Sequence, residues 1–383
     1  MSITNGESGR QATGETLDAA PVSQRGGFAA VVKSPLTGRL LAILGLAIAL
    51  ALLEASGLSF WQGLVVNLGI FMILVLSLNL ASGFTGVFSL GHIGFMALGA
   101  YASAILTLPL MQKADYLPNL PAWLAWVHFD FYVGSFPLGF LLATIIAAGL
   151  VSLVALPVGL VLMRLSGHFV AVATLGFLVI VRVILFNADN FTRGSRTFSN
   201  VTPYTNLWWV WAWALLTLYV VWRLKYSPFG RAMFAQKADP LAAQAIGIAI
   251  MPPRLLAFII SAFFTAVAGS LYAHFITSFS PTVFYFDLTF RVITMLIVGG
   301  LGSVSGSVLG TILVIVLAEA LRRLEDVTLL YGMSQIILAV IFILIIIFRP
   351  DGLLGQREIR LARLFGKGGE SPQDIISAKP KQF

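Results

Sequence analysis

From about residue 40 to residue 348 the chain returns repeatedly to unbroken apolar stretches. They are close to the roughly 20 residues that cross a hydrocarbon core as one helix. Only 10% of the residues are charged and 58% are hydrophobic, with a mean hydropathy of +0.92. A water-soluble chain carries roughly 25% charged residues. Most of this surface therefore cannot face water, which excludes a soluble enzyme. A barrel of the outer-membrane type is excluded too, because its strands alternate apolar and polar residues. The fold class is all-α, a polytopic transmembrane helical bundle.

The apolar stretches lie near 39–58, 60–82, 90–111, 134–162, 167–187, 204–222, 254–276, 287–301, 303–321 and 331–348. They predict about ten spans. The stretch 134–162 holds Pro137 and Pro157 and is expected to kink or tilt. The segment 112–133 is too polar and too broken by proline to span. Its Trp123, Trp126, Phe129, Phe131 and Tyr132 suit the membrane interface.

Charge sets the orientation. With ten spans and an inner N-terminus, the outer segments hold only Lys113, Arg193, Arg196, Arg322 and Arg323 of the 24 cations. Most of the others fall in cytoplasmic segments, which places both termini in the cytoplasm by the positive-inside rule. The net charge of +8 therefore belongs to membrane topology, and no nucleic-acid partner is expected. Trp208, Trp209, Trp211 and Trp213 then lie at the outer end of one helix, with Trp222 at its inner end. The first apolar run starts too late and is too long for a cleavable signal peptide. Residues 1–35 read as a disordered cytoplasmic tail, 36–355 as the transmembrane domain, and 356–383 as a second cytoplasmic tail.

The chain has no cysteine, and its histidines, His92, His128, His168 and His274, lack metal-ligand spacing. No HExxH, GxSxG or paired-carboxylate arrangement argues for an intramembrane enzyme. No GxxxxGK[ST] loop is present to hold a nucleotide. No catalytic residue, metal or cofactor is assigned. Ionisable residues within or beside the spans are Glu54, Arg182, Asp287, Arg291 and Glu319, all in the outer half. None sits firmly at mid-depth, where ion-coupled carriers bury a charge. Arg182 and Arg291 read as members of structural ion pairs rather than substrate contacts.

Two segments break the lipid-facing pattern. Residues 79–95, NLASGFTGVFSLGHIGF, turn between spans without a charge. They read either as a broken helix beside a transport path or as a tight loop between helices packed through small residues. Residues 299–310, GGLGSVSGSVLG, let helices approach closely or let one unwind and expose backbone dipoles. Asn79, Ser89, His92, Gly302 and Ser303 are the candidate path residues.

The basic loop 223–254 holds a different signal. Ser227-Pro228 breaks the preceding helix, Ala232 to Ile246 has helical composition, Asp239 can cap a second short turn, and Gly247 with Pro252-Pro253 ends the segment. Such a helix can dock into a groove on another protein, or the loop can lie against anionic lipid.

The sequence around this loop, Ser227-Pro-Phe-Gly-Arg-Ala-Met, Asp239-Pro and Ala242-Ala-Gln-Ala-Ile-Gly-Ile, resembles the permeases of branched-chain amino acid ATP-binding-cassette transporters, LivM type. The same pattern recurs at Asn79-Leu, Gly83-Phe-Thr-Gly, Ser89-Leu-Gly-His92, Leu175-Gly-Phe, Gly299-Gly-Leu-Gly-Ser and Phe348-Arg-Pro-Asp-Gly. These matches run in order over residues 60 to 355. The resemblance implies an ATP-driven importer of the prokaryotic inner membrane. Its expected partners are a second, LivH-like permease, two cytoplasmic ATPase subunits that hydrolyse the ATP, and a periplasmic substrate-binding protein. Gly230, Arg231, Asp239, Ala243 and Gly247 would belong to the loop that couples the ATPases to the membrane. Substrates across the resembled family include branched-chain and other amino acids and, in close relatives, urea or short amides. An ion-coupled secondary carrier is the reading from a different class.

Overall fold

A computed structural model describes residues 35–355 apart from 118, 130, 133–136, 166 and 330, together with residue 358. The tails expected over 1–35 and 356–383 thus lie outside the described residues except at Pro35 and Glu358. The described chain forms the helices α1 Pro35–Ala55, α2 Ser59–Leu78, α3 His92–Thr107, α4 Leu110–Tyr116 and α5 Ala122–Ala125. These are followed by α6 Leu138–Leu162, α7 His168–Asn187, α8 Asp189–Thr192, α9 Leu207–Lys225 and α10 Pro228–Ala238. The last are α11 Pro240–Ala245, α12 Met251–Ile276, α13 Phe286–Gly299, α14 Val304–Thr328 and α15 Met333–Phe348. A π-helical turn, Asn79–Gly83, continues α2. Among the described residues the only strand-like pairing is an isolated antiparallel bridge between Phe198 and Phe279.

Ten of these helices, α1, α2, α3, α6, α7, α9, α12, α13, α14 and α15, answer to the ten apolar stretches. Six segments among the described residues are long and apolar enough to cross a bilayer: 59–83, 138–162, 169–187, 207–225, 251–276 and 304–328. Of the others, α3, α13 and α15 are shorter than the stretches they answer to, the first two for local reasons. The α3 helix stops at Thr107 because Leu108 precedes a proline, which pushes it to extended backbone, ψ 129°. The α13 helix stops at Gly299 because Gly300 and Gly302 take φ of +114° and +95°. In contrast, α6 runs through Pro157 without ending there.

Residues 49–360 form one structural unit, and α12 lies at its centre. It packs on α3, α6 and α2, while α13 packs on α14. The α3–α12 crossing brings backbone against backbone. A Cβ on Gly99 would collide with the Ala266 backbone, and one on Gly269 with the Met96 carbonyl. Small residues at such crossings increase dispersion contact where lipid leaves little hydrophobic drive for association. Polar bonds add direction. Thr144 and Ser270 hydroxyls meet at 2.8 Å between α6 and α12, and Thr107 Oγ1 lies 2.8 Å from His274 Nε2 between α3 and α12. The grouping of residues 1–48 with 361–383 is a separate unit, of which the start of α1 and no more is described.

The connecting segments sort to two ends of the bundle. Glu54 accepts from Trp208 Nε1, Val201 N donates to Thr277 O, and Phe198 packs with Phe279 and Tyr101 at one end. The breaks at 79–91 and 299–304 and the loop 223–250 meet at the other. Among the described residues the ion pair expected for Arg182 is not formed, and its guanidinium lies 3.8 Å over the Tyr285 ring. An aromatic face can hold a guanidinium where no carboxylate is in reach. Among the described residues Arg291 has no ion-pair partner either.

Gly269→Ala tests the α3–α12 crossing. Overpacking against a backbone carbonyl is expected to cost about 1–3 kcal/mol. The checking measurement is a lower thermal unfolding midpoint of the detergent-purified protein, with a smaller effect for alanine at Gly176, where open space surrounds the Cβ position.

Candidate functional site

Helices that stop inside a membrane protein leave backbone amides and carbonyls that lipid cannot satisfy. The two glycine-rich breaks answer this with each other. Asn79, fully buried in the π-helical turn, donates from Nδ2 to Ser303 O at 2.9 Å and accepts on Oδ1 from Gly302 N at 2.8 Å. The π-turn rotates this side chain inward. The Phe84 amide reaches back five residues to Asn79 O at 3.0 Å. Gly83 must be glycine, since a Cβ would strike Asn79 Oδ1 and approach the Gly302 amide. Ser303 caps α14 by accepting from Gly306 N at 2.9 Å.

The remaining carbonyls are taken by two lysines, Lys225 at the end of α9 and Lys237 in α10. Lys225 Nζ donates to Gly302 O at 2.8 Å, and Lys237 Nζ donates to Gly83 O at 2.7 Å. Lys225 also lies 5.7 Å from the Phe84 ring centroid and 5.5 Å from that of Phe234, two rings that pack at 5.0 Å. Burial, with Lys225 nearby, holds the Lys237 ammonium below the usual lysine range. Glu358 closes the joint. Its carboxylate accepts from Lys225 Nζ at 2.5 Å, from Val304 N at 2.7 Å and from Ser305 N at 2.9 Å, and from the Ser305 hydroxyl. Burial by itself would raise this carboxyl. The Lys225 charge and the Lys225 and Ser305 donors outweigh it, and the net shift is downward. A cavity of about 220 Å³ opens beside the joint, lined by Lys237, Ile297, Leu301, Pro350, Asp351 and Gly355.

Ser89 and His92 form a separate network deeper in the bundle. Ser261 donates to Ser77 O at 2.7 Å, so its oxygen accepts from His92 Nε2 at 2.5 Å. The other ring nitrogen, Nδ1, then accepts from the Ser89 hydroxyl at 2.9 Å. Neutral His92 thereby ties α3 to α12 and α2. The imidazole packs edge-on against Phe95 and Phe258 and borders a small cleft that reaches Thr289 and Val292. Asn79 and Gly302–Ser303 are thus brought together, whereas Ser89 and His92 are not part of that joint.

The loop folds as its sequence indicates. Ser227 Oγ accepts from Gly230 N at 3.2 Å to start α10. Asp239 Oδ1 accepts from Leu241 N at 2.8 Å and Ala242 N at 3.1 Å to start α11. Gly230 is buried against the Leu224 and Lys225 carbonyls, and Ala243 is the buried residue of α11. Gly247, at φ +84°, turns the chain away. Arg231, Phe229, Leu241 and Ile246 are exposed, Leu241 at 77% and Ile246 at 75%. On the bundle side of α10, Met233 and Gln236 are buried, and both polar atoms of the Gln236 amide lack a hydrogen-bond partner among the described residues.

The roles of Lys225, Lys237, Ser261 and Glu358 are not visible in the motifs. Each acts through a backbone or side-chain group 53 or more residues away. The one available signal was a lysine at each end of the α10 segment, and it reads equally well as topology.

Long apolar helices, joined by polar ends and opened by two paired breaks, define a multi-pass membrane permease. The chain belongs to the branched-chain amino acid transport system / permease component family, whose model matches residues 60–348. It is 30% identical over 326 residues to the high-affinity branched-chain amino acid transport system permease protein LivM of Escherichia coli K12, covering 76% of this chain and 69% of that one. It is 24% identical over 320 residues to a probable LivM of Methanocaldococcus jannaschii, covering 76% and 92%. To LivH of Salmonella typhimurium it is 30% identical over 177 residues, covering 46% and 55%. No solved structure gives a significant match.

Two outcomes follow for the joint. Asn79→Leu keeps the volume but strands Gly302 N and Ser303 O, at a cost of about 1–3 kcal/mol for each buried group, to be read from the unfolding midpoint. The Glu358 carboxyl is depressed when folded, so its contribution is present above the usual carboxylate range and lost as pH falls through its folded value. A spin label beside residue 358 should gain mobility in acid, and Glu358→Gln should remove most of that pH dependence.

Proposed function

We propose that this chain is the membrane-spanning permease subunit of an ATP-binding-cassette importer for branched-chain amino acids. In this reading a periplasmic protein delivers the substrate and two cytoplasmic ATPase subunits drive transport with a LivH-like second permease. The single observation that carries the mechanism is the loop of α10 and α11. It lies outside the long apolar helices, is built by two side-chain caps, and exposes Phe229, Leu241 and Ile246 beside Arg231. Exposed apolar side chains on a short capped helix suit docking in a protein groove. Family membership supports the substrate class. We take the chain to span the prokaryotic cytoplasmic membrane about ten times with both termini inside, on the strength of the cation asymmetry.

Within this reading, Gly230, Arg231, Asp239, Ala243 and Gly247 form the docking element. Asn79, Gly302 and Ser303 form the inner boundary of the path, and Ser89 and His92 support its wall. ATP is bound and hydrolysed by the partner subunits.

Reconstitution with the second permease, the ATPases and the binding protein should give ATP-dependent accumulation of labelled leucine, with urea as the competing substrate. Uptake driven by a proton or sodium gradient with this chain alone overturns the reading. Asp239→Ala removes a cap worth about 1 kcal/mol. It is expected to lower uptake and ATPase co-purification several-fold while membrane insertion is unchanged.

A further inference from the structure

The loop after α9 does more than present an outer surface, because its inner side is bonded to both chain breaks. We infer that Lys237 is a positioning residue that carries displacement of α10 to the π-helical turn Asn79–Gly83, with Lys225 its counterpart at Gly302. This rests on the reading of α10–α11 as the docking element and extends it from the surface to the path.

Three features of the geometry carry the inference. First, Lys237 stands at the end of α10 and donates to Gly83 O, the last residue of the π-turn, at 2.7 Å. Its stem lies over Gly86, where an added Cβ would come within 3.0 Å of Lys237 Cγ. A rigid shift of α10 therefore pulls on the turn through a charge-assisted bond and pushes on it through packing. Second, the turn cannot move alone. Gly83 abuts Asn79, and the Asn79 amide holds both Gly302 and Ser303, so tension on Gly83 reaches the start of α14. Third, Gln236, next to Lys237, is 1% exposed and among the described residues its amide has no hydrogen-bond partner, so no side-chain bond at this position ties α10 down against such a shift. A π-turn adds an alternative register, since a five-residue bond can revert to the four-residue ladder.

The test uses the assembled transporter in vesicles, with labelled leucine as probe. Lys237→Met keeps the stem over Gly86 and removes the ammonium, whereas Lys237→Arg keeps donors. The readout is leucine transported per ATP hydrolysed, beside co-purification of the ATPase subunits. We expect Lys237→Met to lower the transported ratio roughly tenfold with the subunits still bound, and Lys237→Arg to recover most of it. Amide exchange at residues 79–88 should respond to ATP in the unaltered protein and not in Lys237→Met. A ratio within about twofold of the unaltered protein, or joint loss of uptake and ATPase binding, overturns the inference and leaves the permease reading intact. Absence of ATP-dependent uptake by the unaltered assembly instead removes the permease reading, and this inference with it.

Discussion

The bond pair from Asn79 to Gly302 and Ser303 is the contact on which the rest of this site depends. A helix broken at membrane depth exposes donors and acceptors, and each one left unpaired is costly. Here two breaks, 224 residues apart at Asn79 and Ser303, supply each other's missing partners through one buried amide. Once they are joined, Gly83 O and Gly302 O point toward the loop after α9, and lysines become the natural donors. Glu358 then balances Lys225 and satisfies the first amides of α14. Lys225 and Lys237 thus close backbone groups of both breaks.

The same physics explains the contrast between this end and the middle of the bundle. Where α3, α6 and α12 cross, glycines permit backbone contact and hydroxyl pairs replace charges. Such packing is stiff, because close-packed interiors transmit displacement rather than absorb it. The joint has a π-turn, left-handed glycines, a cavity and an orphan amide. It gathers these irregular features in one place, and it faces the loop proposed to receive ATPase movement.

Much of this was legible in advance, for reasons specific to the residues. Asp239 could be read as a cap because a cap acts on the two or three residues that follow it, and Ser227-Pro228 could be read as a break because proline cannot continue the preceding helix. The glycine-rich stretches 79–95 and 299–310 could be read as breaks because lipid-facing helices have no use for such density. Whether they unwind helices or pack them could not be read, and in the structure the second stretch does both. Gly300 and Gly302 unwind the chain, while Gly306 and Gly310 let α14 approach α13. Among the described residues the neighbour of Arg182 in space is the Tyr285 ring and not the carboxylate the expectation assumed.

The sequence alone determined the solvent, the helical class and where the main breaks between helices fall. These follow from composition and from contacts within a few residues, which the chain makes wherever it lies in space. Tertiary structure decided which break meets which and which lysine closes which carbonyl. It also made Glu358, outside the recognisable motifs, part of the joint. Those contacts join residues 54 to 224 positions apart, so their partners are chosen by how helices pack. No local pattern records that choice.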